Sequence, residues 1–256
     1  WVAHGTPEVM FTNSVFEGTR HVHGAPDYFM QAHHFIGSAD AVVTFWDRHA
    51  WIWKGMANKR TIVESIPMGV NMALWGPVSS RGKFVGMPSI LTGENCFSCK
   101  WPLDLIFAMP DVFEAFPLAR LHIFNLPMDQ IQWWGPLLYA NGTAYRSYIA
   151  VTRFEPSDLK NAFASVDYYV GLVRYGDHNR MGLEAKLCGV PVISYRGNQY
   201  ADYWIDEGDQ RVIAVQLKLI LSGMVAPRED ITPVPDITRT ASAMAEPCSN
   251  AWCALT

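Results

Sequence analysis

The sequence predicts an α/β protein built on doubly wound parallel sheets. Short apolar runs of strand length alternate with segments of helical composition along most of the chain, a pattern typical of parallel strands covered by helices on both faces. The clearest unit spans residues 176–195, where a polar loop, a helix-forming segment ended by Gly189 and an apolar run follow one another. A chain of 256 residues can form one large domain or two modest ones.

The composition favours a packed globular protein and argues against a nucleic-acid binder. Half of the residues are hydrophobic and 17% are charged, which predicts a sizeable core. The net charge of −4 and the pI near 6.1 lack the basic excess of nucleic-acid-binding proteins. No apolar run reaches the roughly 18–20 residues that span a bilayer, and residues 1–10 do not resemble a signal peptide. We therefore expect a cytoplasmic protein.

The five cysteines do not form a recognisable zinc-binding pattern. Cys96 and Cys99 are a lone Cys-x-x-Cys pair, whereas Cys248 and Cys253 are separated by four residues. Reduced thiols are the favoured interpretation, and a zinc or redox site at the first pair is the alternative.

In the first part of the chain, the sequence pattern indicates a strand, a helix and then a linker. Trp46, Ala50 and Trp53 recur at three- and four-residue intervals, as on one face of a helix. A stretch rich in Pro and Gly at 75–86 predicts a domain boundary. The predicted elements before it are strands at 1–3 and 39–44, helices at 26–34 and 46–56, and a segment at 61–67 that leads to the linker.

The second part resumes the alternation from Pro88. Pro102 suits an early helical position, where its missing N–H is harmless, and Ser157 is a suitable helix cap. After 226 the chain is rich in Pro and then polar. The predicted strands are 89–93, 121–124, 147–151, 167–172 and 190–195, and the predicted helices are 100–109, 129–141, 158–165, 183–188 and 210–223.

Residues 182–194 carry the string Gly-Leu-Glu-Ala-Lys-Leu-Cys-Gly-Val-Pro-Val-Ile-Ser. It resembles the donor-site signature of retaining glycosyltransferases with the GT-B fold, in the family 4 group. The resemblance implies that Glu184 accepts hydrogen bonds from the ribose of a sugar nucleotide. The family's first glutamate would fall at Gly176, and Asp177 is the expected replacement beside the transferring sugar. A solvated carboxylate at a helix start is the plain alternative for Glu184.

Two further strings resemble the same family. Residues 39–44 are similar to an alanine–aspartate strand late in the acceptor domain, and 66–71 to the Ile-Pro-Asn-Gly-Val-Asp crossing into the donor domain. The resemblance implies two Rossmann-like domains, of which the N-terminal one is incomplete because a whole domain needs roughly 150 residues. We expect the end of an acceptor domain at 1–77, a donor domain at 78–225 and a tail at 226–256.

The leaving diphosphate of a sugar nucleotide requires cations or dipoles that stabilise its charge. Lys100 resembles the lysine that the family uses there, whereas Glu94 stands in place of the family's arginine and Trp101 in place of a glycine. A solvated lysine on a surface helix is the alternative for Lys100.

The signature loop offers a substitute for the missing arginine. Arg180 and His178 are cationic candidates, and the backbone N–H groups of Met181, Gly182 and Leu183 are dipolar donors at the predicted helix start. We expect Arg180, Gly182 and Leu183 to contribute to donor binding.

Three candidates complete the expected site. Asn198 follows the last buried strand and points to the same cleft, and His4 follows a strand as the family's acceptor-domain histidine does. With Asp177, His4 is the expected catalytic pair. The resemblance implies no bound metal and no other cofactor, and the chain has no Asp-x-Asp motif.

The sequence therefore predicts transfer of a sugar from a nucleotide-sugar donor with retention of configuration. The acceptor is a glycan, a lipid or a small molecule, and a peripheral membrane contact is among the expected partners. The alternative is a degenerate domain that binds a nucleotide or a partner chain without transfer. A Rossmann oxidoreductase is disfavoured because no Gly-x-Gly-x-x-Gly follows an early strand.

Overall fold

The chain was analysed in a computed structural model, and its described residues fall into two compact units. One unit comprises the described residues up to Asn71 together with those from Pro235, and the other runs from Met72 to Val234. The described residues are 38–45, 47–78, 84–93, 103–124, 148–151, 156–173 and 180–245. The elements predicted at 1–3, 26–34 and 129–141 and all cysteines except Cys188 lie outside them.

The first unit contains the predicted strand and helix, followed by a second strand in the segment at 61–67, to which the sequence analysis assigned no element. It consists of β1 (Ala41–Thr44), α1 (Asp47–Met56) and β2 (Ile62–Ser65). The two strands are parallel, with Ala41 opposite Ile62 and Thr44 opposite Ser65. Trp53 of α1 is buried against Val42 and Val63, so the three- and four-residue spacing marks the buried face of the helix.

The second unit is a six-stranded sheet in which every strand pair is parallel, so the predicted α/β class is confirmed. The strand order is β5-β4-β3-β6-β7-β8. Its elements are β3 (Ser89–Thr92), α2 (Leu103–Ala115), β4 (Arg120–Phe124), β5 (Tyr148–Val151), α3 (Pro156–Phe163), β6 (Tyr168–Gly171), α4 (Arg180–Leu187), β7 (Val192–Tyr195), β8 (Tyr203–Ile205) and α5 (Gln210–Leu221).

Helices cover both faces of this sheet. On one face, Ile90, Val170 and Ile193 pack with the apolar sides of α2 and α5. On the other, α4 packs on β6 and β7 and against α3, and Phe163 meets Tyr169 edge to face with ring centroids 6.0 Å apart. Strands buried on both faces are apolar at successive positions, which explains why their sequence runs were recognisable.

Two helix boundaries differ from the prediction. The expected end of α2 at Met109 was wrong, since the helix continues through Pro110 to Ala115. Val112 and Phe113 are buried there, and their burial outweighs the roughly 3 kcal/mol cost of an interior proline. Ser157 is not a cap, because α3 begins at Pro156, where the fixed φ of proline suits the first helical position.

The strand β8 was missed by the sequence analysis. It pairs with β7, with Ile193 opposite Tyr203, and the guanidinium of Arg228 lies 3.5 Å from the ring centroid of Trp204. Arg228 also donates to the carbonyl of Ala201 at 3.0 Å. The Tyr-Trp-Ile composition is typical of strands, but three residues are too few for a periodic signal.

The unit boundaries at Asn71 and Val234 follow from packing. Trp75 belongs to the second unit, where its ring meets Phe163 at 5.8 Å. Within the first unit, Val70 pairs with Asp236 and residues 237–245 are helical. A Cβ on Gly69 would lie 2.6 Å from the Cα of Ile237, so glycine permits this close approach. The segment after 226, which was expected to be a tail, is thus divided between the two units at Val234.

Candidate functional site

The strand order of the six-stranded sheet creates one position where the chain connections diverge. Counted along the chain within the sheet, the order is 3-2-1-4-5-6, so β3 and β6 are neighbours whose following connections run to opposite sides. In open parallel sheets, ligands bind outside the carboxyl ends of the strands at this position. Here those ends are Thr92 and Gly93 after β3, and Gly171 to Val173 after β6.

The N-terminus of α4 lies directly at this position. A Cβ on Gly93 would overlap the terminal methyl group of Met181 and lie 2.6 Å from its sulfur, with the ring of Phe124 at 3.5 Å. The glycine therefore leaves room for the side chain of Met181, from the first turn of α4, beside the ends of β3 and β4. This contact joins residues that are 88 positions apart in the sequence.

The start of α4 corrects the sequence analysis. Gly182 was assigned to a flexible loop and Glu184 to the helix start, but α4 begins at Arg180 and Gly182 is buried inside it. Helix propensity disfavours glycine by about 1 kcal/mol. Burial of Leu183 and Ala185 and the packing of Met181 on Gly93 outweigh that cost. The predicted end is confirmed: Gly189 has a φ of 81°.

The first turn of α4 is electrostatically unlike that of the other described helices of this unit. The first turns of α2 and α3 contain Asp104 and Asp158, and α5 is capped by Asp209, whose side chain accepts from the backbone N–H groups of Arg211 and Val212. The first turn of α4 has no acidic residue and begins with an arginine. A helix N-terminus attracts anions, and at α4 no carboxylate of its own first turn competes for them.

Glu184 lies one turn into α4 and is the buried carboxylate of the site. Its side chain is 5% exposed, and its Oε1 accepts a hydrogen bond from Nε of Arg180 at 2.8 Å. The side chain of Arg180 is 70% exposed. Burial raises the pKa of Glu184, and the charge and hydrogen bond of Arg180 oppose that rise. A buried carboxylate of this kind is suited to accept hydrogen bonds from a ligand.

The other predicted donor-site residues differ in position. Gly182 and Leu183 lie in the first turn of α4. Glycine has no side chain and the side chain of Leu183 is buried, so these residues would contact a ligand through their backbone N–H groups. Asn198 is buried in the loop after β7. Its Oδ1 accepts from the N–H of Tyr200 at 3.1 Å, and its carbonyl accepts from Nε1 of Trp204 at 2.7 Å. Asn198 therefore organises its own loop, and among the described residues its hydrogen bonds do not reach α4.

Three predicted residues lie outside the described residues: His4, Lys100 and Asp177. Their roles stay predictions.

Two features of the same edge were missed by the sequence analysis. The hydroxyl of Tyr195, at the end of β7, donates to Oδ2 of Asp104 at 2.6 Å, which ties the first turn of α2 to the neighbouring strand. The hydroxyl of Thr92 is fully buried, and none of the described residues accepts or donates a hydrogen bond to it. A polar residue that ends an apolar strand just before a glycine is the signal that could have identified Thr92.

Neither a metal-binding cluster nor a membrane-spanning helix is present among the described residues. Within those ranges, no cluster of three or more His, Cys, Asp or Glu side chains could hold a metal ion. No helix there is both long enough and apolar enough to cross a bilayer.

No protein-family model matches this sequence, and no curated protein is significantly similar to it. Solved structures of similar fold were found. Sucrose-phosphate synthase from Thermosynechococcus elongatus superposes with a TM-score of 0.76 at 16% identity, over 99% of this chain and 67% of that one. Anabaena HepE in complex with UDP and glucose gives 0.66 at 12% identity, over 89% and 68%. The pneumococcal O-GlcNAc transferase GtfA, in complex with UDP and GlcNAc, gives 0.61 at 15% identity.

The chain spans about two thirds of the first of these proteins and 42% of GtfA. At these identities the likeness concerns the fold. The neighbours are GT-B glycosyltransferases, and their superposition agrees with the parallel α/β architecture found here. The chain therefore has the GT-B glycosyltransferase fold.

Proposed function

We propose that this chain binds a nucleotide-linked sugar at the carboxyl edge of the six-stranded sheet and transfers the sugar to an acceptor with retention of configuration. The observation that carries the proposal is the buried carboxylate of Glu184, one turn from a helix N-terminus at the switch point of the sheet. HepE and GtfA are described in complex with UDP together with glucose or GlcNAc, which supports a nucleoside diphosphate as the ligand class.

In this proposal each residue type has a defined task. Glu184 accepts hydrogen bonds from the ribose hydroxyl groups. Arg180, Lys100 and the N–H groups of Gly182 and Leu183 stabilise the charge that develops on the leaving diphosphate. Asn198 holds the loop that borders the nucleotide.

Two further residues bind the transferring sugar in the same proposal. Asp177 and His4 contact it, and the described residues up to Asn71 belong to the acceptor-binding part. The acceptor is a glycan, a lipid or a small molecule, which includes a peripheral membrane contact for a lipid. Activity without a bound metal and a cytoplasmic location are further parts of the proposal.

A thermal-shift screen with UDP-, GDP-, ADP- and CMP-sugars tests the binding half. A ligand at a hundred times its Kd stabilises the folded protein by about 2.7 kcal/mol, which gives a clear shift in Tm. The transfer half is tested by incubating the protein with the best donor and following the anomeric proton of released or transferred sugar by NMR. If none of the four classes raises the Tm, the proposal is wrong.

A second candidate is a binding domain without transfer activity. It is favoured by two positions of the sequence, since Gly176 stands where the family has its first glutamate and Glu94 where the family has an arginine. Thermal stabilisation by a sugar nucleotide without hydrolysis or transfer would establish this candidate in place of the enzyme.

A further inference from the structure

The ion pair between Arg180 and Glu184 is strongly asymmetric. The two side chains are four positions apart on α4 and their polar atoms are 2.8 Å apart. The carboxylate is almost completely enclosed, whereas the guanidinium is mostly in solvent. Glu184 is thus held in place by the protein interior, whereas Arg180 is held by this single described interaction.

This asymmetry makes the arginine the partner that can leave. Holding a long, exposed side chain in one geometry costs rotamer entropy, and an exposed arginine regains many rotamers and full hydration when it departs. Glu184 cannot follow, because Leu183 and Ala185 on either side of it are buried in the unit. A ligand could therefore displace Arg180 if it offers the arginine a better acceptor and offers the buried carboxylate of Glu184 new donors.

The first turn of α4 is where such an acceptor would arrive. Its N-terminus favours anions and has no acidic residue in its first turn. A guanidinium binds phosphate oxygens with two parallel hydrogen bonds, which an ammonium group cannot do. Four residues along a helix correspond to about 6 Å, comparable to the distance between a ribose and the diphosphate attached to it.

We propose that Arg180 exchanges partners when the donor binds: it leaves Glu184 for the diphosphate, and the freed carboxylate accepts hydrogen bonds from the hydroxyl groups of the ribose. The inference rests on the proposed donor site and adds to it a defined role for an internal ion pair. In the absence of ligand, Arg180 donates to Oε1 of the buried carboxylate and so occupies that acceptor atom. A nucleoside without phosphate cannot draw the arginine away, so Arg180 competes with it.

The state of the carboxylate agrees with this role. Burial raises the pKa of Glu184 and Arg180 opposes the rise. Departure of the arginine would leave the carboxylate in need of new donors, and hydroxyl groups of the ligand supply them. The diphosphate and the nucleoside thus assist each other's binding through one ion pair.

The test measures three probes against two variants, with Lys218→Ala in the last turn of α5 as a control that also removes one positive charge. The first probe is inorganic pyrophosphate. The other two are a nucleoside and its own diphosphate, and three such pairs are used: uridine with UDP, guanosine with GDP, and adenosine with ADP. Ligand-observed NMR and calorimetry give the affinities.

Arg180→Ala is expected to weaken pyrophosphate and the diphosphate about tenfold, through loss of charge-assisted hydrogen bonds, and to tighten the nucleoside by up to about fivefold, because its competitor for Glu184 is removed. An unchanged nucleoside affinity would contradict the exchange. Glu184→Gln is expected to weaken the nucleoside and the diphosphate, and to leave pyrophosphate unchanged or tighter. Lys218→Ala should change none of them.

The outcomes separate this inference from the proposed function. If the wild-type protein binds a diphosphate but Arg180→Ala weakens nucleoside and pyrophosphate alike, or weakens neither, the exchange is wrong while the donor site stands. If the wild-type protein binds none of the three nucleoside diphosphates, the exchange is wrong, and the donor site is wrong as well if none of the four sugar nucleotides raises the Tm.

Discussion

Two arginine–carboxylate pairs of the second unit have similar geometry and opposite electrostatic character. Arg180 and Glu184 are 2.8 Å apart, and Arg196 and Asp206 are 2.6 Å apart. In the latter pair both side chains are exposed, at 63% and 56%, and the hydrogen bond from Arg196 lowers the pKa of Asp206. In the former, burial raises the pKa of Glu184 even though an arginine contacts it.

The difference shows that desolvation of the carboxylate, rather than the length of the hydrogen bond, decides its protonation behaviour. An exposed pair stabilises both charges in water and contributes little to folding. A buried carboxylate is costly to the fold, and such a residue is a candidate for function. The comparison therefore favours Glu184 over Asp206 as the candidate for ligand binding.

The largest expected effect is on ligand binding. Glu184→Gln should weaken the nucleoside diphosphate that binds best by about tenfold to a hundredfold, since hydrogen bonds to a charged group contribute about 1.5–3 kcal/mol. Asp206→Asn, the matched change in the exposed pair, should leave the affinity within about twofold. Calorimetry measures both. Equal losses in the two variants would remove the distinction between the pairs.

A third ion pair of the second unit stabilises the fold and is not part of the proposed donor site. Lys186 lies on the same helix as Arg180, and its Nζ is 2.7 Å from Asp202, with both side chains half-buried. The other oxygen of Asp202 accepts from the N–H of Val192 at 2.8 Å. This carboxylate ties α4 to the start of β7 and is a structural group.

Asp202→Ala is accordingly expected to lower the free energy of unfolding by about 1–3 kcal/mol, because the N–H of Val192 and Lys186 both lose their acceptor. Chemical denaturation measures this loss. The affinity of the folded variant for the diphosphate should stay close to that of the wild type, and a loss comparable to that of Glu184→Gln would place Asp202 in the donor site instead.

Thr92 extends the comparison to an uncharged buried group. Its hydroxyl at the switch point is buried and has no partner among the described residues. Thr92→Val removes this cost and should stabilise the protein by up to about 1 kcal/mol. Denaturation in parallel with Ser194→Ala provides the contrast, because Ser194 donates to the carbonyl of Gly171 at 2.9 Å and its loss should destabilise. Destabilisation by both changes would show that Thr92 has a partner.

The smallest expected effect is the pH dependence of stability, which should have opposite slopes in the two arginine pairs. Glu184 has a pKa above its ordinary value of 4.5, so its contribution to stability is complete below 4.5 and is lost as the pH rises through the raised pKa. Asp206 has a pKa below its ordinary value of 3.8, so its contribution is present above 3.8 and is lost as the pH falls through the lowered pKa.

The measurement is the Tm of the wild type minus that of each variant between pH 3 and pH 8. The difference for Glu184→Gln should fall as the pH rises, and the difference for Asp206→Asn should fall as the pH decreases and should shrink in high salt. Parallel slopes would mean that Glu184 is solvated like Asp206.

The candidate site was accessible to sequence reasoning where its signal is local. Glu184 was identified because its neighbours on both sides form a recognisable string, and Gly189 was identified as the end of its helix. The partner of Glu184 was not predicted, because the helix was expected to begin at 183 and Arg180 therefore fell outside it, which hid the i,i+4 spacing of the pair. The loop role of Asn198 was not predicted because Nε1 of Trp204 is directed by packing that no spacing rule encodes. Burial of the carboxylate also depends on elements far away in the chain.

The sequence by itself determined the α/β class and most strand positions, because a strand buried on both faces must be apolar at successive residues and this requirement is local. Only the tertiary structure decided the strand order, the beginning of α4 at Arg180 and the approach of Met181 to Gly93. These depend on contacts between residues that are distant in the chain, and the free energy of such contacts outweighs the local propensity of a single glycine or proline. The same long-range packing encloses Glu184 while leaving Arg180 in water.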